Sequence, residues 1–149
     1  GAAFAQIFFQ HASELNHEKK DLRPLIKKTI LTTSLLGLPI FTVLMAVGPS
    51  LFAFIFGNEW ETAGEYARIL APWIFLDFIR ASISQLPVVI NRQKEMLLYS
   101  GIGLVLLLVS MIIGFNMDQD EHTVFTCLSF GQSIFMICMI VWMYKISKR

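Results

Sequence analysis

Apolar and polar positions alternate along this chain on the length scale of a membrane rather than that of a soluble core. Residues 1–15 are mostly apolar, too short to span, and predict the end of a preceding helix; a polar stretch with a short amphipathic helix follows, and residues 16–26 form the connection. From Thr29 to Asn58 no charged residue occurs. As one straight helix that run would reach roughly 45 Å, longer than a hydrocarbon core. Gly48-Pro49 resolves the excess, predicting a first span over 27–47 and a short interfacial helix over 50–56 that ends at Gly57-Asn58. Pro39 inside the first span leaves the Leu35 carbonyl without its helical donor, and Thr29, Thr33 and Gly37 line the face that could re-satisfy it. Pro24 suits the first turn of that helix.

The second span, over 66–90, is bent near its ends by Pro72 and Pro87. A polar turn, Asn91 to Glu95, leads to a third span over 96–115, where Ser110 and Gly114 offer a small-residue contact face. An acidic turn from Asn116 to Glu121 precedes the fourth span, 123–144, and residues 145–149 form a basic tail. Thr126, Ser129 and Ser133 mark the side of this last helix that meets other helices. The predicted fold is an all-α, polytopic membrane bundle of four transmembrane helices plus the end of a preceding helix, in a single membrane domain.

Composition agrees: 55% of residues are hydrophobic and only 15% charged, far from the soluble average. A net charge of +1 says little, because position along the chain matters more. Lys19, Lys20, Arg23, Lys27, Lys28, Arg92, Lys94, Lys145, Lys148 and Arg149 occupy every alternate connection, leaving the other loops acidic. The positive-inside rule then sets both ends and the basic loops in the cytoplasm, as in a bacterial inner-membrane protein. Gly1 is not an initiator methionine and no signal peptide follows it, so the chain reads as a piece of something longer. Cys127 and Cys138 lie too far apart on one helix for a disulfide.

The second span holds the candidate chemistry. On a helical wheel Tyr66, Trp73, Asp77, Arg80, Ser84 and Asn91 fall within a stripe roughly 60° wide on an otherwise apolar helix. Ionisable groups at membrane depth are rare and mark functional sites. Arg80 is suited to an anion, because its planar fork stays ionised and donates paired hydrogen bonds; Asp77 can orient it or take up a coupling ion, H+ or Na+. The plainer alternative is an ion pair at i, i+3 that offsets its own cost. Tyr66 and Trp73 can stack on sugar rings or anchor at the interface. Arg68 lies about 180° from Asp77 and belongs to the interface with Glu59, Glu61 and Glu65.

Catalytic and metal signatures are lacking. His11, Glu14 and Glu18 share a helical face but do not form the His-Glu-x-x-His motif, and Gly101 with Gly103 lies in a span with no preceding strand. The chain is therefore expected to be no enzyme and to need no metal, cofactor or nucleic acid.

Several motifs resemble a known family. Phe9-Gln10 with Ser13-Glu14-Leu15, Leu22-Arg23-Pro24-Leu25, Phe56-Gly57 with Trp60, Ala63-Gly64-Glu65-Tyr66-Ala67, Ile69-Leu70-Ala71-Pro72-Trp73, Ser84 and Asn91-Arg92-Gln93 resemble the C-terminal half of bacterial O-antigen-type polysaccharide flippases of the multidrug/oligosaccharidyl-lipid/polysaccharide exporter superfamily. The last two spans match only as generic apolar helices. The resemblance implies two lobes, with this chain supplying the tail of one helix and four more, and an N-terminal half as partner. It implies export of a polyprenyl-diphosphate-linked oligosaccharide for lipopolysaccharide or other surface polysaccharide biosynthesis, by alternating access around a central cationic cavity, in contact with membrane lipid. Where the family carries small residues and often a proline, this chain reads Arg80-Ala81-Ser82, so Arg80 is not carried over as a family site. Alternatives are a cation-coupled multidrug exporter of the same superfamily, with Asp77 as ion site, and a membrane subunit of a polysaccharide polymerase or glycosyltransferase.

If the basic loops are cytoplasmic, a cysteine introduced at Gln93 in the full-length protein resists an impermeant thiol reagent in intact cells, whereas one at Gln119 reacts. Labelling of both, or the reverse pattern, removes the four-span topology.

Overall fold

The computed structural model describes residues 2–117 and 120–147. Gly1, Asp118, Gln119, Lys148 and Arg149 lie outside them, so the acidic turn and basic tail are seen only in part. The described residues form α1 (Ala2–His17), α2 (Arg23–Phe56), a 3-10 turn (Asn58–Trp60), α3 (Glu61–Ser82), α4 (Leu86–Val89), α5 (Gln93–Met117) and α6 (Glu121–Ile146). Four segments are long and apolar enough to cross a membrane: Arg23–Phe56, Asn58–Val89, Gln93–Met117 and Glu121–Ile146. The chain is an all-α, multi-pass membrane bundle.

Two boundaries differ from expectation, at the end of α1 and within the second span. Helix α1 extends into the polar stretch and stops at His17 by a Schellman turn: Lys20 N–H donates to the Leu15 carbonyl and Lys19 N–H to that of Asn16, with Lys19 left-handed at φ 57°. The break expected at Gly48-Pro49 is present within α2: Val47 leaves helical geometry (φ −130°, ψ 21°), so residues 27–47 and 50–56 are helical segments on either side of a kink, where Pro49 removes one backbone donor. The second span is interrupted: α3 ends at Ser82, and α4 starts after Gln85 with Pro87 in its first turn. Ser82 and Ser84 hydroxyls bond back to the carbonyls of Ile79 and Ala81, competing with helical continuation at that point.

Asn91 is also drawn out of the stripe. It is the left-handed residue (φ 58°) of a second Schellman turn, with Arg92 N–H on the Pro87 carbonyl and Asn91 N–H on that of Val88. Asn tolerates this conformation better than most residues. At Gly57, φ 104° and ψ 162° define a region open essentially to glycine alone, and the chain reverses there between α2 and the 3-10 turn.

Helices α2 and α3 pack side by side, α3 lies on α6, and α6 lies on α5, while α1 crosses α2, α3 and α4. The main core sits at the end carrying the basic loops, where Phe8, Leu22, Ile26, Ile83, Leu86 and Met143 are buried together. Arg23 stands 5.5 Å over the Tyr144 ring and the Asn16 amide donates to the Val89 carbonyl at 3.0 Å, closing the same end. In that loop Glu18 lies 2.6 Å from Lys20, and their hydrogen bond raises the lysine above its usual range. Leu35, Ile40, Leu97, Val105 and Ile112 are exposed on the outer faces of α2 and α5, as surfaces in contact with lipid or further helices require.

Thr29 and Thr33 bond to the Leu25 and Thr29 carbonyls, one turn back, rather than to the Leu35 carbonyl freed by Pro39. The Ser110 and Gly114 face does meet α6: Ser110 Oγ fills the space over Gly131, and Gly114 rests on the Val124 backbone.

The α2–α3 crossing is backbone on backbone. A Cβ on Gly64 would stand 2.6 Å from the Gly48 carbonyl oxygen, and one on Gly48 2.9 Å from that of Gly64. Gly64→Ala is therefore expected to destabilise the bundle by about 1–3 kcal/mol through overpacking. Gly101→Ala, with nothing within 4 Å of its added Cβ, is expected to be neutral or slightly stabilising. Thermal melting of the two variants in detergent checks the contrast, and equal midpoints would contradict the close crossing.

Candidate site in the second span

Helix α3 has two faces with different partners. Gly64, Arg68, Phe75 and Phe78 face α2, where Gly48 meets Gly64 and Arg68, and Gly37 meets the two phenylalanine rings. Phe41 packs on the same rings with centroids 5.4 and 6.1 Å away. The opposite face is the polar stripe, and α6 covers its acidic-end half.

Tyr66 belongs to that covered half. Its hydroxyl donates to the Glu121 carboxylate, and its ring packs on Phe125 and His122 with centroids 4.5 and 5.4 Å away. His122 Nε2 lies 3.4 Å from Glu65 Oε2 beside it. Tyr66 thus ties α3 to α6 and is not brought together with Asp77 and Arg80. One step further in, Ser129 Oγ donates to the Ile69 carbonyl at 2.7 Å, just before Pro72. Thr126 and Ser133 flank a small cleft there with Ile69 and Pro72, so the small polar face of α6 does turn toward α3.

Asp77 and Arg80 form the ion pair that their spacing allows. Arg80 Nη2 lies 2.6 Å and Nε 2.8 Å from the same oxygen, Asp77 Oδ1. The guanidinium retains further N–H groups. The arginine side chain is only 20% exposed, the aspartate 43%, so the pair has one side toward the bundle and one toward its surface.

Trp73 and Arg80, two turns apart, both line a cleft of about 320 Å³ between α3, α5 and α6. Ser100, Leu104 and Leu107 contribute from α5, and Gln132, Phe135 and Met139 from α6. Trp73 Nε1 is buried with no hydrogen-bond partner. Gln132 is buried too and donates to the Gly103 carbonyl at 3.2 Å. Ser84 is separated from this cleft. It lines a larger groove of about 660 Å³ between α1 and the end of the second span, with Gln6, Phe9, Gln10, Gln85 and Val88.

The stripe is therefore continuous in sequence but divided in space: Tyr66 in a helix contact, Trp73 and Arg80 in one cleft, Asp77 paired to Arg80, Ser84 in another groove, and Asn91 in a turn. Ser100 and Gln132 were not singled out from the sequence. An amide in the middle of an apolar span was the available signal for Gln132, since such a group needs a helical partner. Among the described residues no group of three or more His, Cys, Asp or Glu side chains converges as a metal site.

Residues 1–65 match the model of a family described as polysaccharide biosynthesis protein. The match covers α1, α2, the 3-10 turn and the first turn of α3, and ends before Tyr66, Trp73, Asp77 and Arg80. No curated protein and no solved structure matches the chain. Together, the four apolar spans and the matched family support a multi-pass membrane protein of polysaccharide biosynthesis.

Proposed function

We propose that this chain is part of a transporter that flips a polyprenyl-diphosphate-linked oligosaccharide across a bacterial inner membrane, with the basic loops on the cytoplasmic side. The carrying observation is the Asp77–Arg80 pair, held inside a span of a chain whose first 65 residues match a polysaccharide biosynthesis family. In this reading a lipid-linked intermediate of polysaccharide biosynthesis changes leaflets, and an arginine that keeps free N–H groups beside a cleft meets the need for a phosphate contact. Trp73 offers an aromatic surface on the same cleft. Asp77 is the group for a coupling H+ or Na+, since its carboxylate is the more exposed member of the pair. The role is transport and not catalysis, and an N-terminal half of the same transporter would supply the facing lobe.

Arginine inside a span costs up to about 2.5–3.5 kcal/mol on insertion scales, the upper figure applying at its centre, so removing Arg80 does not impair insertion by itself. Arg80→Ala alone leaves a carboxylate unpaired in the membrane and is expected to lower protein level. The double variant Asp77→Ala/Arg80→Ala separates structure from function. It is expected to reach the membrane at normal levels yet fail to export, and Arg80→Lys is expected to restore export only in part, because an ammonium lacks the two-pronged geometry. Surface polysaccharide measured against membrane protein level decides it. Restored export in the double variant would sink the binding role.

A further inference from the structure

Helix contacts fix the levels in the cleft between α3, α5 and α6. Tyr66 meets Phe125 and Ser129 meets Ile69, so α3 and α6 run in the same direction, with Trp73 near the level of Gln132 and Arg80 near that of Met139. On α5, which runs the other way, Tyr99 stacks on Trp142 at 4.4 Å and Gly103 rests on Phe135. Ser100 therefore shares the level of Arg80, and Leu107 that of Trp73. Seven residues of helix, roughly 10 Å, separate the two layers. The Arg80 layer lies nearer the basic end.

This gives the cleft a polarity along the membrane normal. Its shallow layer has the Arg80 guanidinium and the Ser100 hydroxyl, which already donates to the Met96 carbonyl at 2.9 Å; its deeper layer has the unpartnered Trp73 indole N–H beside the Gln132 amide, which donates to the Gly103 carbonyl. None of its lining residues is acidic, and Asp77 holds the guanidinium from outside the lining. Ser100 and Leu104 are exposed, so the cleft opens on the outer surface of the bundle beside α5. A buried N–H without an acceptor costs free energy in an apolar surround, and at this depth water is scarce.

We propose that this cleft binds an anionic phospholipid of the bilayer, phosphodiester on Arg80, an ester carbonyl accepting from Trp73 Nε1–H, and an acyl chain running inward from Leu107. Phospholipid supplies what the cleft lacks: a singly charged phosphate at the shallow level, neutral ester acceptors below it, and hydrocarbon beyond. Bilayer lipid holds Arg80 and Trp73 when no polysaccharide carrier occupies the same cleft, and its binding does not depend on the transport reading.

Quenching of Trp73 fluorescence by brominated lipid tests it without substrate and without transport. The full-length protein is placed in phosphatidylcholine vesicles that hold a fixed minor fraction of phosphatidylglycerol, brominated in the upper acyl chain, or the same fraction of equally brominated phosphatidylcholine. The Trp73 signal is the difference between the protein and its Trp73→Phe variant. Apparent affinity for the anionic lipid is expected to exceed that for the zwitterionic one by roughly fivefold, the contribution of one basic side chain toward anionic lipid. The preference is expected to vanish in Asp77→Asn/Arg80→Gln, which leaves no unpaired charge, and to persist in Arg80→Lys. Equal quenching by both lipids, absence of quenching by either, or a preference that survives in Asp77→Asn/Arg80→Gln would overturn the assignment. Export failing while the lipid preference stands would count against the transport role alone.

Discussion

The crossing of α2 over α3 at Gly48 and Gly64 sets the geometry on which the rest of the bundle depends. Two helices approach this closely only where both lack a side chain, and in a membrane such contacts replace the hydrophobic drive that lipid cannot supply. Once Gly64 faces α2, the wheel leaves no freedom further along: Arg68, Phe75 and Phe78 follow onto the same side, and Tyr66, Trp73 and Arg80 must turn toward α6 and α5. The Val47 kink serves the same contact, since it lies beside Gly48 and directs the end of α2 along α3. The glycine pair therefore decides where the in-membrane charge points, although neither glycine touches it.

That logic explains how much could be read from the sequence. The four spans, the alternation of basic and acidic connections, the opposition of Arg68 to Asp77, and the i, i+3 pairing of Asp77 with Arg80 all follow from periodicity within one helix or one loop. Local order was harder wherever two rules competed. Gly48-Pro49 signals a break, and the helix does leave its geometry next to it, at Val47, before resuming toward Phe56. Pro72 and Pro87 look alike in sequence, yet only the neighbourhood of Pro87 interrupts the helix, where the Ser82 and Ser84 hydroxyls donate to the Ile79 and Ala81 carbonyls in place of helical N–H groups. Partners remote in sequence were out of reach altogether: Tyr66 finds Glu121 fifty-five positions away, and this pairing removes it from the candidate site. Asn91 sat on the wheel with the stripe, but a wheel assumes an unbroken helix, and the left-handed turn ends that assumption.

The division of the stripe gives its residues different physical burdens. Tyr66, Glu121, His122 and Glu65 hold helix ends together at a boundary where water is available, so each bond contributes modestly. Trp73 and Arg80 stand where water is scarce, and each unmet hydrogen bond there weighs more. The ion pair relieves only part of that. Both short contacts from Arg80 go to one oxygen of Asp77, which leaves the other edge of a planar donor to find its own acceptor.

The two ends of the bundle also resist separation differently. At the basic end, Phe8, Leu22, Ile26, Ile83, Leu86 and Met143 form one apolar cluster joining α1, α2, α4 and α6 with the turn after α3, so pulling these helices apart exposes buried hydrocarbon. At the acidic end the link between α3 and α6 rests on the Tyr66–Glu121 bond, the Glu65–His122 contact and the Phe125 ring. Polar bonds at a wet boundary exchange readily for bonds to water, whereas buried side chains have no such substitute. Separation of α3 from α6 therefore costs least at the acidic end, with the basic end as the fulcrum, and the cleft holding Trp73 and Arg80 lies between the two.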